Sequence, residues 1–367
     1  MSIAPSGPFN RKTFPIMKTP LVSVVIPAFR SGALLLESVE SVMAQTFPDF
    51  EVILVDNNAS LDTRAVIGIA LDKYPAKIRV VHEPTQGNSS ARNRGIKESR
   101  GMFIALLDDD DQMVPKRLEK QVEVIEKNPE SAIVHGRINY VAFDGKTIVK
   151  ADQSNDIQDW ARILFWDHPR FSDDPARSIL PSVSLFSKSL AVGLGGFDER
   201  FNPFWIEDTE FSLRMWERGP CPEIPEPLVS FRLPSQEFLK KKRENISNWI
   251  QAARNLNLFF LILTQKYYKP SDNESSDRFK KIRSQWLREL SQEVLRLSNG
   301  QDAARFLLKR AIFDQPTEIK NLKWLYRSFL PSGLRMKALK TRTFPSQKLE
   351  DFIAPEELKN FFRLPGE

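Results

Sequence analysis

The 367-residue chain has little of several residue types on which common classes of protein depend. Its single cysteine, Cys221, excludes an intrachain disulfide, and three scattered histidines without cysteine partners give no zinc-type spacing. The longest apolar run, LFFLILT at 258–264, is far shorter than the roughly 20 residues that cross a bilayer. We therefore expect a soluble protein of a reducing compartment, the cytoplasm.

The first 20 residues contain Pro, Ser and Arg but no continuous apolar segment, so we interpret them as a flexible leader and not as a secretion signal. Charge is distributed unevenly along the rest. Residues 235–367 hold 26 Lys plus Arg against 15 Asp plus Glu, whereas residues 1–234 hold 27 against 32. This asymmetry predicts two regions with a boundary near 235, the second able to face phosphate or anionic lipid.

Strand-like and helix-like segments alternate from residue 21. Continuous β-branched runs typical of strands covered on both faces begin with LVSVVIPAF at 21–29 and FEVILVD at 50–56, and segments with helical spacing lie between such runs. The alternation predicts an α/β fold with a mostly parallel sheet and right-handed crossovers. Ligands of such sheets bind beyond the carboxyl ends of the strands.

The pattern changes after residue 130. Alternating residues at 131–149, interrupted by Asp144 and Gly145, predict a hairpin and an antiparallel addition to the sheet. Beyond Pro234 the chain is mainly helix-forming, with helices predicted over 237–268 and 278–298.

Four consecutive aspartates follow an apolar run in IALLDDDDQMVP at 104–115. In an extended chain, Asp108 and Asp110 point to one face and Asp109 and Asp111 to the other. Two carboxylates on one side repel and raise each other's pKa unless a cation lies beside them, and Mg²⁺ or Mn²⁺ suits oxygen ligands. The alternative is helix capping, because VPKRLEKQVEVIEKN begins a helix soon afterwards and Asp is a favoured N-cap. One aspartate can cap while another binds metal.

Two further polar segments follow strands. Asp56, in ILVDNNAS, can accept a hydrogen bond from a base imide or a ribose hydroxyl, and the alternative is a local turn made by DNN. In GNSSARNRG, Ser89 or Ser90 can cap a helix whose first turn carries Arg92 and Arg94. A helix start with arginines attracts phosphate, although surface arginines are common.

Five motifs occur in an ordered series: VSVVIPAFRSGALLLESVESVMAQTFPDFEVILVDNNAS, TQGNSSARNRGI, ALLDDDD, GGFDE and EDTEFSLR. In order and approximate spacing they resemble family-2 glycosyltransferases with the GT-A fold, over roughly residues 20–234. The resemblance implies three regions: a leader at 1–20, a GT-A nucleotide-sugar domain at 21–234, and a basic, mainly helical region at 235–367.

The resemblance also implies a donor site. Asp56 is similar to the carboxylate that reads the base, usually uracil, and Arg92 to the arginine near the nucleotide sugar. Asp108 and Asp110 resemble the DXD motif, whose last aspartate coordinates the Mn²⁺ or Mg²⁺ that bridges the diphosphate, and Asp111 continues the common DDD form. The full set implied to contact the nucleotide sugar is Pro27, Phe29, Asp56, Arg92, Asp108 and Asp109.

On the other side of the reaction centre, Gly196, Phe197 and Asp198 match the GGFDE loop that lines the acceptor side. Asp208 resembles the general base, and Glu207 is the alternative because adjacent carboxylates cannot be ranked by sequence. A base opposite the leaving group implies single displacement with inversion. Taken without the family, the carboxylates of this segment can simply complement a helix dipole.

The chain departs from the family pattern in three places. Phe29 and Arg30 follow the first-strand proline where an aromatic and an asparagine are usual, and the frequent asparagine is absent around Thr85 and Gln86. Residues 233–234 are Leu-Pro where many relatives have a histidine. The third departure puts a third protein ligand of the metal in doubt.

The C-terminal region is basic at LKKKRE, RFKKIR and RMKALKTR. Such runs are commonly solvated faces. The sharper hypothesis is that the neighbouring aromatics Trp249, Phe259, Phe260 and Tyr267 lie on an anionic membrane surface, at the inner face of the plasma membrane, or hold a lipid-linked acceptor. No nucleic-acid-binding module accompanies the charge.

The expected function is sugar transfer from a nucleoside diphosphate sugar, preferably a UDP-sugar, to a glycan or lipid-linked acceptor in surface polysaccharide or glycoconjugate synthesis. One alternative is a non-catalytic scaffold of the same fold that binds nucleotide or membrane. Another is a sugar-phosphate nucleotidyltransferase, but PAFRSGALLLE lacks the glycine-rich basic loop of that class.

Overall fold

The computed structural model describes residues 19–148, 179–235, 246–297, 300–329, 348–351 and 353–364. They fall into two compact units that divide after Ser235. The leader predicted at 1–20 and the segment 151–180 lie almost wholly outside the described residues.

A mixed sheet forms the centre of the first unit. Its strands are β1 (Val22–Ala28), β2 (Phe50–Asp56), β3 (Ile78–His82), β4 (Phe103–Leu106), β5 (Gln112–Met113), β6 (Ile133–Val141), β7 (Leu185–Ser187) and β8 (Glu223–Arg232). Their spatial order is β3-β2-β1-β4-β7-β6-β8-β5. Strands β3, β2, β1 and β4 run parallel, β7 is antiparallel to its neighbours, and β6 pairs parallel with β8. The predicted mixed, mostly parallel sheet flanked by helices is confirmed.

Helices follow the strands of the parallel half. Those of the first unit are α1 (Leu34–Met43), α2 (Leu61–Lys73), α3 (Asn88–Glu98), α4 (Arg117–Lys127), α5 (Lys188–Gly193) and α6 (Glu207–Trp216). In α1 the buried side chains Leu35, Val39 and Val42 recur at helical spacing, so one face packs on the sheet. These helices lie between the strands, where the sequence predicted segments with helical spacing.

The core of the first unit explains why the site lies where it does. Strands β1 and β2 are buried along almost their whole length, as expected for strands covered on both faces. Parallel register pairs Ala28 with Asp56 at the carboxyl ends of these strands. Polar residues after β1, β2 and β4 are therefore brought to one edge of the sheet.

The predicted turn at Asp144 and Gly145 is present. The Ala142 N–H donates to the Thr147 carbonyl at 2.8 Å, and Val141 and Ile148 form a single antiparallel bridge. Gly145 has φ +70°, which favours glycine. The longer pairings of β6 are nevertheless with β7 and β8, so the antiparallel addition is made with a strand far away in the sequence.

The second unit is helical. Its helices are α7 (Ile246–Tyr267), α8 (Asn273–Val294), α9 (Gln301–Asp314), α10 (Ile319–Ser328) and α11 (Pro355–Lys359). The two long helices correspond to those predicted at 237–268 and 278–298, although 236–245 and 298–299 lie outside the described residues. None of the helices described is both long and apolar enough to cross a bilayer.

Aromatic side chains fill the core of this unit. Phe260 makes edge contacts with Phe279, Trp286 and Phe362, with ring centroids 5.6 to 6.0 Å apart. Phe259 and Phe260 are fully buried, so the expectation that they face a membrane is wrong. The Trp249 side chain lies outside the described residues, and Tyr267 is half-buried.

Candidate functional site

The four aspartates form a turn between β4 and β5. The strand ends at Leu106, and the Asp111 N–H donates to the Asp108 carbonyl at 3.2 Å, so the extended alternation assumed from the sequence is wrong. The capping alternative is also wrong, because α4 begins at Arg117 without any side-chain cap. The turn closes at the carboxyl edge of the sheet and presents its carboxylates there.

Each aspartate of the turn has a different environment. Asp108 accepts from Arg92 Nη2 at 3.0 Å, Asp109 accepts from the Phe29 N–H at 3.0 Å, and buried Asp111 accepts from the Arg232 N–H at 2.9 Å. Asp110 is half-buried, and no other described residue donates a hydrogen bond to its carboxylate. Three aspartates therefore anchor the turn, while Asp110 is available to a ligand.

The turn concentrates negative charge away from water. Burial raises the pKa of Asp110 to about 7, and the charges of Asp109 and Asp108 add to the shift. Burial likewise raises the pKa of Asp109 to about 6. Burial, followed by the charges of Asp108 and Asp110, also places the pKa of Asp111 well above its usual range. Ionising Asp109, Asp110 and Asp111 together is costly, and a bound cation would lower that cost.

Arg92 joins the aspartate turn to the other predicted carboxylate motif. Its guanidinium donates to Asp108 through Nη2 at 3.0 Å and to Glu207 Oε1 through Nη1 at 2.8 Å. Asn88 donates a further bond to Glu207 Oε1 at 3.0 Å. Arg92 and Glu207 are both nearly fully buried, and Phe197 lies against the guanidinium, 5.4 Å from ring centroid to Cζ. Arg92 is thus the buried link between two motifs distant in sequence.

The start of α3 differs from the prediction. Gly87 occupies the N-cap position, and neither Ser89 nor Ser90 caps the helix. Ser89 instead donates to the Asp198 carbonyl at 3.0 Å, and Ser90 accepts from Asn202 at 2.7 Å. The serines therefore tie α3 to the segment that precedes α6. Arg94 pairs with Glu98 on the same helix at 3.1 Å, so of the two arginines only Arg92 contacts the carboxylate cluster.

The backbone immediately before Glu207 and Asp208 is strained. Trp205 and Ile206, immediately before α6, have φ of 81° and 76°. These values are uncommon for residues other than glycine, and such strain persists where the surrounding structure fixes it. The sharp entry places both carboxylates in the first turn of α6.

The carboxylates of Glu207 and Asp208 differ in their hydrogen-bond partners. Glu207 Oε1 accepts from Arg92 and Asn88, and its buried Oε2 has no hydrogen-bond partner among the described residues. Asp208 is half-buried, and among the described residues its carboxylate accepts hydrogen bonds from Thr209 alone, with the Thr209 N–H at 2.7 Å. Burial and then the charge of Glu207 raise the pKa of Asp208 to about 6. Asp208 also lines a small cavity walled mostly by apolar side chains, which accounts for the burial effect.

The GGFDE loop packs behind these carboxylates. Asn93 accepts from the Phe197 N–H at 2.7 Å and donates to the Phe197 carbonyl at 2.8 Å. The Phe197 ring is buried and stacks on Phe211 at 4.1 Å between centroids, and Asp198 pairs with Arg200 at 2.6 Å. Phe197 and Asp198 thus have packing and pairing roles here, and the acceptor-side role of Gly196, Phe197 and Asp198 stays a prediction.

Replacing Gly196 by alanine is expected to destabilise the first unit by about 1–3 kcal/mol, because φ is +70° and the new Cβ would lie 2.3 Å from Asn93 Oδ1. Gly193→Ala is the matched control, since no atom lies within 4 Å of its Cβ position and it ends a helix. Thermal unfolding should give a lower midpoint for Gly196→Ala only. Equal midpoints for both variants would contradict the expected strain.

Asp56 lies at the end of β2 and makes both a local turn contact and an ion pair. Its Oδ1 accepts from the Ala59 N–H at 2.8 Å, as in the local turn that the sequence left open. Its Oδ2 accepts from Arg64 Nε at 3.0 Å and lies 3.9 Å from His82 Nδ1. Pro27 lies at the neighbouring strand end, paired in register with Val55. The predicted nucleotide-binding residues Pro27, Phe29 and Asp56 thus lie at the same edge as the aspartate turn.

Sequence reasoning missed several residues that hold the site. Arg232, at the end of β8, donates from Nε to the Asp110 carbonyl at 2.9 Å and from Nη2 to Glu37 at 2.7 Å. Asn57 accepts from the Gly87 N–H at 2.9 Å and fixes the loop before α3. The only sequence signal for Arg232 is its position just before the Leu-Pro that replaces the expected histidine.

The carboxylates fit a small hard cation bound jointly with a phosphate ligand. Within the described ranges, no group of three or more His, Cys, Asp and Glu side chains is arranged to hold a metal. Mg²⁺, however, typically uses one or two carboxylates plus substrate phosphates. Asp110, with its raised pKa and no hydrogen-bond donor from another described residue, matches that requirement, and Asp108 adds a second oxygen.

Comparison with known proteins adds a family and a fold. The family model described as glycosyl transferase family 2 matches residues 23–190. An uncharacterised glycosyltransferase of Methanocaldococcus jannaschii is 34% identical over 233 residues, which cover 60% of this chain and 73% of that protein. An uncharacterised glycosyltransferase of Rickettsia bellii is 37% identical over 128 residues, or 35% of this chain. The chain spans only 18 to 31% of the length of that relative and of two others, from Sinorhizobium fredii and Bacillus subtilis.

Among solved structures, the mannosyltransferase PcManGT of Pyrobaculum calidifontis, in complex with GDP-Man and Mn²⁺, superposes with a TM-score of 0.53 at 17% identity. The alignment covers 88% of this chain and 79% of that one. This likeness confirms the GT-A fold predicted from the motifs. The family model and the match to the M. jannaschii protein lead to one conclusion: the chain belongs to glycosyl transferase family 2.

Proposed function

We propose that the chain is a metal-dependent, inverting glycosyltransferase. It transfers a sugar from a nucleoside diphosphate sugar, preferably a UDP-sugar, to a hydroxyl of a glycan or lipid-linked acceptor in surface polysaccharide or glycoconjugate synthesis. The observation that carries the proposal is the Arg92 bridge, because it joins the aspartate turn and the α6 carboxylates in one buried network. A site with both motifs has the parts that sugar transfer needs.

On the donor side, Asp110 and Asp108 would hold Mn²⁺ or Mg²⁺. When bound, the ion supplies positive charge to the diphosphate as it leaves. Asp109 and Asp111 fix the turn through the backbone of Phe29 and Arg232. Asp56, Pro27 and Phe29 lie at the strand ends where the nucleoside would bind.

On the acceptor side, Asp208 serves as the general base. The acceptor hydroxyl gives its proton to the Asp208 carboxylate, its oxygen forms the new bond to the anomeric carbon, and the bond to the diphosphate oxygen breaks with inversion. Glu207 is the weaker candidate, because Arg92 and Asn88 already donate hydrogen bonds to its Oε1. Its buried, unpartnered Oε2 can instead accept a hydrogen bond from a substrate hydroxyl.

Replacing Asp208 by asparagine is expected to lower kcat by about 10²–10⁴-fold, the usual contribution of a general base. In the wild type, kcat/KM should fall tenfold per pH unit below about 6, because the base must be ionised and its pKa is raised to about 6. Initial rates across pH measure both effects. A wild-type profile that stays flat through pH 5, or an Asp208→Asn variant with full activity, would remove Asp208 from this role.

A donor screen tests the proposal as a whole. The protein is incubated with Mn²⁺ and a panel of UDP-sugars, and release of nucleoside diphosphate is measured. GDP-Man belongs in the panel, because the structurally similar PcManGT was solved in complex with it. Release from one donor supports sugar transfer, whereas nucleotide binding without release in the presence of candidate acceptors would favour a non-catalytic scaffold.

The proposal also includes a location. The chain would act in the cytoplasm and contact the anionic inner face of the plasma membrane. Support for this contact comes from the basic C-terminal region, with its 26 Lys plus Arg against 15 Asp plus Glu.

A further inference from the structure

Helix α10 buries polar side chains and exposes large apolar ones, the reverse of the usual arrangement. Its buried residues are polar: Asn321 donates to Ser284 Oγ at 2.9 Å and to the Ala311 carbonyl at 3.2 Å, and Ser328 is fully buried. A helix packed on a core normally turns its apolar side inward. Here hydrogen bonds hold the buried side, Trp324 and Leu325 are half-buried, and the other apolar side chains are exposed.

The outward side is a continuous apolar stripe. Ile319, Leu322, Tyr326 and Phe329 are 76, 48, 69 and 59% exposed. Their spacing of three, four and three residues places them on one face, which we name the α10 face. Clustered exposure of large apolar side chains at this spacing is typical of an interaction surface, whereas single exposed side chains are common.

Cations border the α10 face. Lys320 and Lys323 are exposed on the same helix, and α10 contains no Asp or Glu. Arg327 lies over the Trp324 ring at 4.5 Å, and Arg305 of α9 lies over the Phe329 ring at 4.1 Å. Aromatic and aliphatic side chains flanked by Lys and Arg match the composition of helices that lie in the interface of an anionic bilayer.

We propose that the α10 face docks on an anionic lipid surface, with its apolar side chains between the headgroups and its cations on lipid phosphates. A second copy of the chain is a poorer occupant, because pairing two such faces would bring the same cations together. This inference deepens the membrane contact proposed above by naming the surface, and it does not depend on the transfer reaction. The surface differs from the aromatic residues predicted from the sequence, of which Phe259 and Phe260 are buried.

The test is sedimentation of the full chain with phosphatidylcholine vesicles, with and without phosphatidylglycerol. The wild type should bind only vesicles that contain phosphatidylglycerol, and binding should weaken as salt is raised. The variant Ile319→Glu/Tyr326→Glu should lose binding by at least about tenfold, because it places charge in the apolar stripe. Lys320→Glu/Lys323→Glu should weaken binding to the anionic vesicles as well.

Ile69→Glu is the matched control, because Ile69 is 53% exposed on α2 of the first unit; it should bind like the wild type. Equal binding by Ile319→Glu/Tyr326→Glu and the wild type would overturn the inference, as would equal binding to vesicles without phosphatidylglycerol. A wild-type dimer that dissociates in the same variant would assign the face to a second copy instead. Nucleoside diphosphate release without vesicles should be unchanged in all these variants, so failure of docking and failure of transfer are told apart.

Discussion

Asp110→Ala is expected to lower metal-dependent sugar transfer by about 10³-fold, because the charge on the leaving diphosphate would lose several kcal/mol of stabilisation. The reason lies in the aspartate turn. Asp109 and Asp111 are committed to backbone N–H groups and Asp108 shares its carboxylate with Arg92, so none of them can replace Asp110 without breaking the turn. The fold should be retained, since the Asp110 carboxylate makes no hydrogen bond to any other residue in the part of the chain that the structure describes.

Two measurements check this prediction. Nucleoside diphosphate release is followed at several Mn²⁺ concentrations, and Mn²⁺ binding in the presence of UDP is measured by electron paramagnetic resonance. Asp72→Ala, an exposed carboxylate on α2, is the control and should match the wild type in both. If Asp110→Ala bound Mn²⁺ and released diphosphate normally, the assignment of the metal ligand would be wrong.

Arg92→Met is expected to produce the largest loss of stability, about 3–5 kcal/mol, together with loss of activity. Removing the guanidinium leaves Glu207 buried without a cation, and breaking one side of a buried ion pair carries that cost. Arg94→Met is the control on the same helix. Its partially exposed pair with Glu98 should contribute no more than about 0.5 kcal/mol.

A double variant separates stability from chemistry. Arg92→Met/Glu207→Met removes both buried charges and should recover part of the thermal midpoint, because apolar replacements of similar volume often tolerate the loss of a buried ion pair. It should remain inactive, since the network that joins the two motifs is gone. A midpoint for Arg92→Met equal to that of the wild type would show that the pair contributes little to the fold.

The parts of the fold that could be predicted from sequence depend on local patterns. Strands β1 and β2 are buried on both faces, so each appears in the sequence as a continuous apolar run. Helix α1 is buried on one face, so its apolar residues recur at helical spacing. The order of the motifs likewise predicted which residues form the donor site at the carboxyl edge of the sheet. Their presence there follows from parallel register, which brings successive strand ends together.

The parts that could not be predicted depend on contacts between distant segments. Propensity favoured Ser89 or Ser90 as the N-cap of α3, but their hydroxyls bond to Asp198 and Asn202, and Gly87 takes the N-cap position. The pairing of Arg92 with Glu207 has no local signal at all. In α10, spacing alone would have placed Ile319 and Leu322 in the core, but the structure exposes both and buries Asn321, whose hydrogen bonds fix that orientation.

One guanidinium serves two acids that come from separate motifs, and this has a consequence for engineering. Grafting the aspartate turn of another donor-specific enzyme onto this scaffold would disturb the charge balance at Glu207 unless the graft kept an acid at position 108. The reverse exchange, at α6, would disturb Asp108 in the same way. Attempts to alter sugar preference should therefore leave Asp108, Arg92 and Glu207 unchanged and begin with other residues at this edge of the sheet.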